Sequence, residues 1–242
     1  MTLLVLPVWG WVVAGLAAVV IVVVVGFFVL IFVTGLFETH HLLGLDYLPG
    51  DGEQPMPTGK AGQQYDEALA AGCLAIGAFE DRESKLMSLT LWLLISEDGR
   101  DLVMITSKPR MLGYRIYSRL ESGVWLTSGE VVGNTDLTGL VRPASHPGEP
   151  LAGVLSLHRQ RADTAEEPVV PFIPEQLLDD LLAFDRKKAE TTIAMGLGRW
   201  VNAEQTQWRH TPRGALRLTA QTAFSGGTDN PRNDEVENLI SL

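Results

Sequence analysis

Between Trp11 and Val33 lie twenty-three consecutive residues without a charge, seventeen of them Val, Ile, Leu or Phe. On the insertion scale each such residue favours the bilayer by roughly 0.3–0.6 kcal/mol at a helix centre, so the run sums to about 5–10 kcal/mol. At about 1.5 Å per residue it makes a helix about 34 Å long, enough to cross a hydrocarbon core of about 30 Å. The Val22–Val25 stretch has strand propensity, but a buried strand ends after about 4–8 residues, and length decides for the helix. A cleaved signal peptide is the rival reading. Against it, the early positive charge is missing, the apolar core is too long and no A-x-A-like site follows. Residues 1–37 are therefore expected to form a single-pass anchor in the lipid bilayer, with Pro7, Trp9 and Trp11 at headgroup level.

The first basic side chain is Lys60, so the positive-inside rule has almost nothing to count. The amino terminus alone gives a slight bias toward a C-terminal domain outside the cytoplasm. Gly10, Ala14 and Ala18 recur every four residues, a small-residue stripe through which two such helices could self-associate.

Charge divides the rest of the chain. Residues 38–81 hold eight acidic residues and one basic, residues 82–228 hold seventeen of each, and residues 229–242 add four acidic and one basic. The net charge of −10 thus lies beside the anchor and in the tail, and the body is balanced. A balanced body lacks the positive stripe that phosphate backbones require, so no nucleic-acid partner is expected. With Cys73 as the only cysteine, disulfide frameworks, Cys-based zinc sites and CxxC redox pairs are excluded.

Gly50, Gly52, Pro55, Pro57, Gly59 and Gly62 mark residues 38–62 as an acidic linker. The α+β globular domain is expected at 63–224, with an acidic tail at 225–242. A helix over Gln63–Ala71, closed by Gly72, opens it. Strand candidates follow at Cys73–Phe79, Leu86–Ile95, Asp101–Ser107, Tyr114–Leu120 and Val124–Thr127, with the hairpin signal Asp98-Gly99 between the second and third. Their short gaps demand antiparallel neighbours, a meander sheet of about five strands. Leu151, Val154, Leu155 and His158 mark a helix, and Leu177, Leu178, Leu181 and Leu182 a second that continues to about residue 201; both are expected over one face of the sheet. Residues 215–224 fit a strand or a helix equally.

No nucleophile elbow, zinc-protease helix, P-loop or dinucleotide fingerprint occurs. His40 and His41 with Asp46 could suggest a metal, but neighbours in sequence point apart and no third ligand stands at motif spacing. The doublets Glu80-Asp81, Glu97-Asp98, Glu166-Glu167 and Asp179-Asp180 diverge for the same reason and suit turns and solvated faces. His158 reads as a packed histidine on a helical stripe, His146 as a loop residue, and Cys73 as a small hydrophobe. Arg186-Lys187-Lys188, then Gly196 to Trp200 and Trp208 to Gly214, loosely resembles the closing helix and wing of a winged-helix module. The acids Asp179, Asp180 and Asp185 make that basic run a salt-bridged helical face instead. No catalytic, cofactor-binding or metal-binding residue is nominated, and no cofactor is expected.

The expected role is an interaction or sensing module among other membrane or envelope proteins. The alternatives are a membrane-tethered enzyme with a dispersed site and a binder of a small apolar ligand or lipid. Converging titratable groups in a concavity would favour the enzyme, an apolar cavity the binder, and an exposed aromatic patch the interaction module. Trp92, Trp125, Trp200 and Trp208 are the residues to place first, because tryptophan is enriched at binding hot spots.

Overall fold

The structure, a computed structural model, describes residues 8–48, 55–81, 89–108, 113–130, 132 and 136–224. Helix α1 (Val8–Phe37) is thirty residues long and exposed along nearly all its described length. It is long and apolar enough to cross a membrane. It runs four residues past the apolar stretch, and Thr34 there keeps its hydroxyl inside the helix, donating to the Leu30 and Ile31 carbonyls.

The chain then turns directly into paired strands. Residues 38–62, expected to be a linker, supply β1 (His40–His41), β2 (Leu45–Tyr47) and the start of α2 (Gly59–Ala70). Strands of two or three residues have no period to read, and their partners lie far along the chain. Gly72, at φ +85°, closes α2 as expected.

All five expected strands form: β3 (Cys73–Asp81), β4 (Thr90–Ser96), β5 (Leu102–Thr106), β6 (Tyr114–Leu120) and β7 (Trp125–Gly129), antiparallel in sequence order. The sheet is larger than that meander. Among the described residues it has eight strands, with β2 added beside β3, β8 (Val141–Ser145) beside β7, and β9 (Val169–Val170) on β6 beyond the end of β5. β8 runs parallel to β7, because residues 130–140 give the chain the length to return to the same end of the sheet. Pro143 places β8 at the sheet edge, where a missing N–H is tolerated.

Helices cover both faces, not one. Ala61, Tyr65 and Ala68 of α2, with Leu151, Val154 and Leu155 of α3 (Leu151–Asp163), pack on Trp92, Leu94, Val103, Ile105 and Ile116. On the opposite face, Leu177 and Leu181 of α4 (Leu177–Ala194) pack with Phe172 on Leu93, Ile95, Leu102 and Trp125. The unbroken apolar run Leu91–Ile95 states this in the sequence: a strand with no polar alternation is buried on both sides. Each such side chain contributes about 1.5–3 kcal/mol on full burial.

α4 ends at Ala194, short of residue 201. Gly196, at φ +71°, closes it: the Gly196 amide donates to the Ile193 carbonyl and the Leu197 amide to the Thr192 carbonyl. Leu197 and Trp200 continue the helical spacing but belong to the next element. β10 (Gly198–Trp200) and β11 (Gln207–His210) form a hairpin, and β1 joins β11 on its other side to give a three-stranded antiparallel sheet. Residues 212–224 are a helix, α5 (Pro212–Phe224), packed along the C-terminal end of α1, where Gly35 approaches Ala215 and Leu218. Gly214 is required at the other contact of α5: a Cβ there would overlap the Leu197 carbonyl. The expected tail, 225–242, lies outside the described residues.

Candidate functional site

The junction between α1 and the body encloses a cavity of about 300 Å³. Its first wall is the segment leaving α1. Thr39 accepts a hydrogen bond from Arg209 Nε at 2.6 Å, which fixes the entry of β1. His40 is opposite Trp208 in the β1–β11 register. Its ring stacks on the indole, with centroids 4.4 Å apart and planes inclined by 27°. His210, two residues on and therefore on the same face of β11, meets both rings edge-on, at 5.0 Å from His40 and 4.9 Å from Trp208. Gly198 stands opposite His210; a Cβ there would come within 3.2 Å of Trp208 and of two α4 side chains.

The second wall is α4, where Asp185, Lys188, Ala189 and Thr192 recur at helical spacing. Asp185 Oδ2 accepts the Leu43 amide at 2.8 Å and so ties the β1–β2 connection to α4. Glu38, Asp136, Leu137 and Leu218 complete the lining. The Asp136 carboxylate is committed to its own turn, accepting from Thr138 Oγ1 at 2.7 Å and from the Val141 amide at 3.0 Å. The Thr192 hydroxyl donates to the Lys188 carbonyl at 2.9 Å.

Burial is the main cause holding the His40 imidazole below its ordinary pKa; the Lys188 charge adds to it and Asp185 opposes it. Burial likewise lowers His210, and His40 adds to that effect. Both rings are therefore neutral at pH 7. His210 Nδ1 faces the Leu197 carbonyl at 3.4 Å, which places its proton on Nδ1. His40 Nε2 is buried with no hydrogen-bond partner among the described residues. A cavity offering two neutral imidazoles, the Glu38 and Asp185 carboxylates and one ammonium can bind a polar molecule or move a proton.

A second polar cluster lies inside the body. His158 Nδ1 is 2.8 Å from Ser128 Oγ and Nε2 is 2.9 Å from Ser118 Oγ. Ser118 donates to Asp101 Oδ1 at 3.1 Å, and Arg159 Nε donates to Asp101 Oδ2 at 2.7 Å. One proton assignment satisfies the chain: Ser128 donates to Nδ1, Nε2–H donates to Ser118, and Ser118 donates to Asp101. Burial, with minor help from Arg161, His146 and Arg159, pushes the His158 pKa down to about 3. Ser118, Ser128 and His158 are fully buried and Asp101 nearly so, and the carboxylate meets the serine and not the imidazole. This network joins α3 to the sheet and offers no substrate access.

The remaining candidates are dispersed. His41 pairs with Gln207 in β1 and points away from His40, while Asp46 lies in β2 opposite Glu80. Among the described residues no group of three or more His, Cys, Asp or Glu is placed to hold a metal. Cys73 is buried, and burial raises its thiol pKa. His146 Nε2 is buried without a partner among the described residues, outside the cavity lining. Of the acidic doublets, Asp98 caps its turn, Glu167 accepts the Ser122 amide, Asp180 pairs with Arg119 at 2.9 Å, and Glu80 and Asp81 sit in β3. Within the basic run, Arg186 pairs with Glu190 and Lys188 lines the cavity. Trp92 and Trp125 are core; Trp200 and Trp208 are half-buried and face each other across the hairpin. No family model, curated protein or solved structure matches the chain.

Proposed function

We propose that the chain is a single-pass membrane-anchored sensing module: α1 crosses the bilayer, the α+β body stands at its end, and the cavity between them takes a small polar ligand. The construction of that cavity supports this reading above all else. Glu38 and His40, just beyond α1, form one wall, and α4, β11 and α5 supply others. A ligand seated there contacts both the body and the segment that emerges from the anchor, so its occupancy favours one arrangement of the two. Such differential contact is what ligand-driven change requires. At about 300 Å³ the cavity is at the small end of ligand pockets. Lys188 suits an acceptor group on the ligand, and His40 Nε2, without a partner among the described residues, and the Glu38 carboxylate suit polar hydrogens.

The body is proposed to face away from the cytoplasm, because the flank that follows the span carries no Lys or Arg before Lys60 to hold it inside. Ala14 and Ala18 are exposed on α1, and the stripe they form with Gly10 is proposed to pair two copies in the bilayer. Signal passes from the module to other membrane or envelope proteins. A tethered enzyme is the second reading, favoured by two neutral imidazoles converging with carboxylates. The lining mixes polar and apolar groups, which lends less support to an apolar-ligand binder.

Thermal-shift screening of the full chain in lipid nanodiscs against small polar molecules tests the sensing reading. A compound that raises the melting temperature of the parent protein but not of Lys188→Met supports it. Equal shifts in both proteins, or none across the panel, contradict it.

A further inference from the structure

The segment 196–224 reverses the charge of the chain around it. It carries Arg199, Arg209, Arg213 and Arg217 against the single acid Glu204, a net +3 in a protein of net charge −10. The fold puts α5 and β11 of that segment against the C-terminal end of α1, with β10 joined to β11. Arg209 is bonded to Thr39, two residues past α1, and Arg199 stands opposite Arg209 in the hairpin register, on the same face. α5 lies against Gly35 through Ala215 and Leu218. The neighbouring Leu216 is 62% exposed, with Arg213 one turn before it and Arg217 next to it in sequence, the two arginines themselves at i,i+4. Phe37, 65% exposed, ends α1 beside this surface. Exposed apolar side chains bracketed by arginines at the end of an apolar span have the composition of an interfacial helix.

We infer that α5 and the β10–β11 hairpin dock on anionic lipid headgroups. Arg199, Arg213 and Arg217 meet the phosphates and Leu216 enters the acyl boundary. This rests on the reading that α1 spans the bilayer. Covalent continuity with that span already holds the surface at the headgroup level, so a few charges suffice; each arginine near an anionic surface favours contact by about fivefold. The arginines lie far beyond the roughly 15–20 residues counted by the positive-inside rule, so they leave the orientation argument unchanged. Docking would also clamp the hairpin that carries Trp208 and His210, which sets the width of the cavity.

The test uses the full chain with a nitroxide at Leu216→Cys, in nanodiscs of phosphatidylcholine with or without phosphatidylglycerol. A second label at Val24→Cys reports the span independently. The expected result is a residue-216 label shielded from a water-soluble nickel reagent in the anionic discs. That shielding should fall by on the order of a hundredfold in docked-to-lifted ratio when Arg199, Arg213 and Arg217 are changed to Gln. A residue-216 label equally open to nickel in both lipids, with the residue-24 label deep, overturns docking and leaves the span standing. A residue-24 label open to nickel overturns both. Release of the residue-216 label by duplex DNA assigns the arginines to nucleic acid and also overturns the proposal.

Discussion

His40 and Trp208, 168 residues apart in the chain, stand opposite each other in the β1–β11 register with their rings stacked at 4.4 Å. The contact joins the first strand after the apolar helix to the last strand of the body, and one wall of the cavity depends on it. Trp208→Ala should cost about 0.5–1.5 kcal/mol beyond the area lost and expose His40 to water. Burial is the main reason the His40 pKa lies below 6.5, so the variant should raise it toward that value. Histidine titration by NMR decides this; an unchanged His40 midpoint would show that the indole does not shield it.

His158 gives the molecule a pH dependence whose sign follows from its position. Its pKa is about 3 in the folded state and near 6.5 unfolded. Between those values the unfolded chain binds the proton and the folded chain does not, so stability falls as pH drops from about 6.5 toward 3. His158→Gln does not titrate there. Its deficit relative to the parent protein, about 1–3 kcal/mol at pH 7 from the serine hydroxyls left poorly paired, should therefore shrink as pH is lowered. Denaturant melts at several pH values measure the difference, and a deficit that grows on acidification would refute the assignment.

Gly214 is the tightest point between α5 and the α4–β10 turn. Gly214→Ala drives a methyl group into the Leu197 carbonyl and should destabilise by about 1–3 kcal/mol. Gly15→Ala, where nothing lies within 4 Å of the added carbon, is the matched control and should be neutral or slightly stabilising. Equal melting temperatures for the two variants would contradict the packing of α5 on that turn.

Leu94 is fully buried between the sheet and the helices α2 and α3. Leu94→Ala should cost about 2–5 kcal/mol by chemical denaturation. A loss well under that range would mean the core collapses around the gap.

The sheet was legible in the sequence where its signals were local. Tyr114–Leu120 alternates strictly, Asp98-Gly99 turns at the β4–β5 hairpin, and Gly72 closes α2. Two-sided cover was also written there, in the unalternating run Leu91–Ile95. What escaped was non-local. β1, β2 and β9 are two or three residues long and exist only because distant strands accept them; Pro143 masked β8; and Gly196 ended α4 while the apolar spacing ran on through Leu197 and Trp200. The cavity draws its lining from Glu38 to Leu218, so no spacing motif could mark it. His40, set aside in the sequence as a metal ligand, became a cavity residue once β1 paired with β11. The alternation of Trp208 and His210 was the one local hint that both share a face.

The most direct test of an anchored module with its cavity at the end of the span is water accessibility along α1. In a Cys73→Ala background, single cysteines from position 13 to position 40 are exposed to a membrane-impermeant maleimide in native membranes. The expected result is protection through position 33 and labelling beyond position 37, from the external face only. Labelling throughout α1, or a mature chain that begins after Val33, would remove the anchor and the coupling built on it.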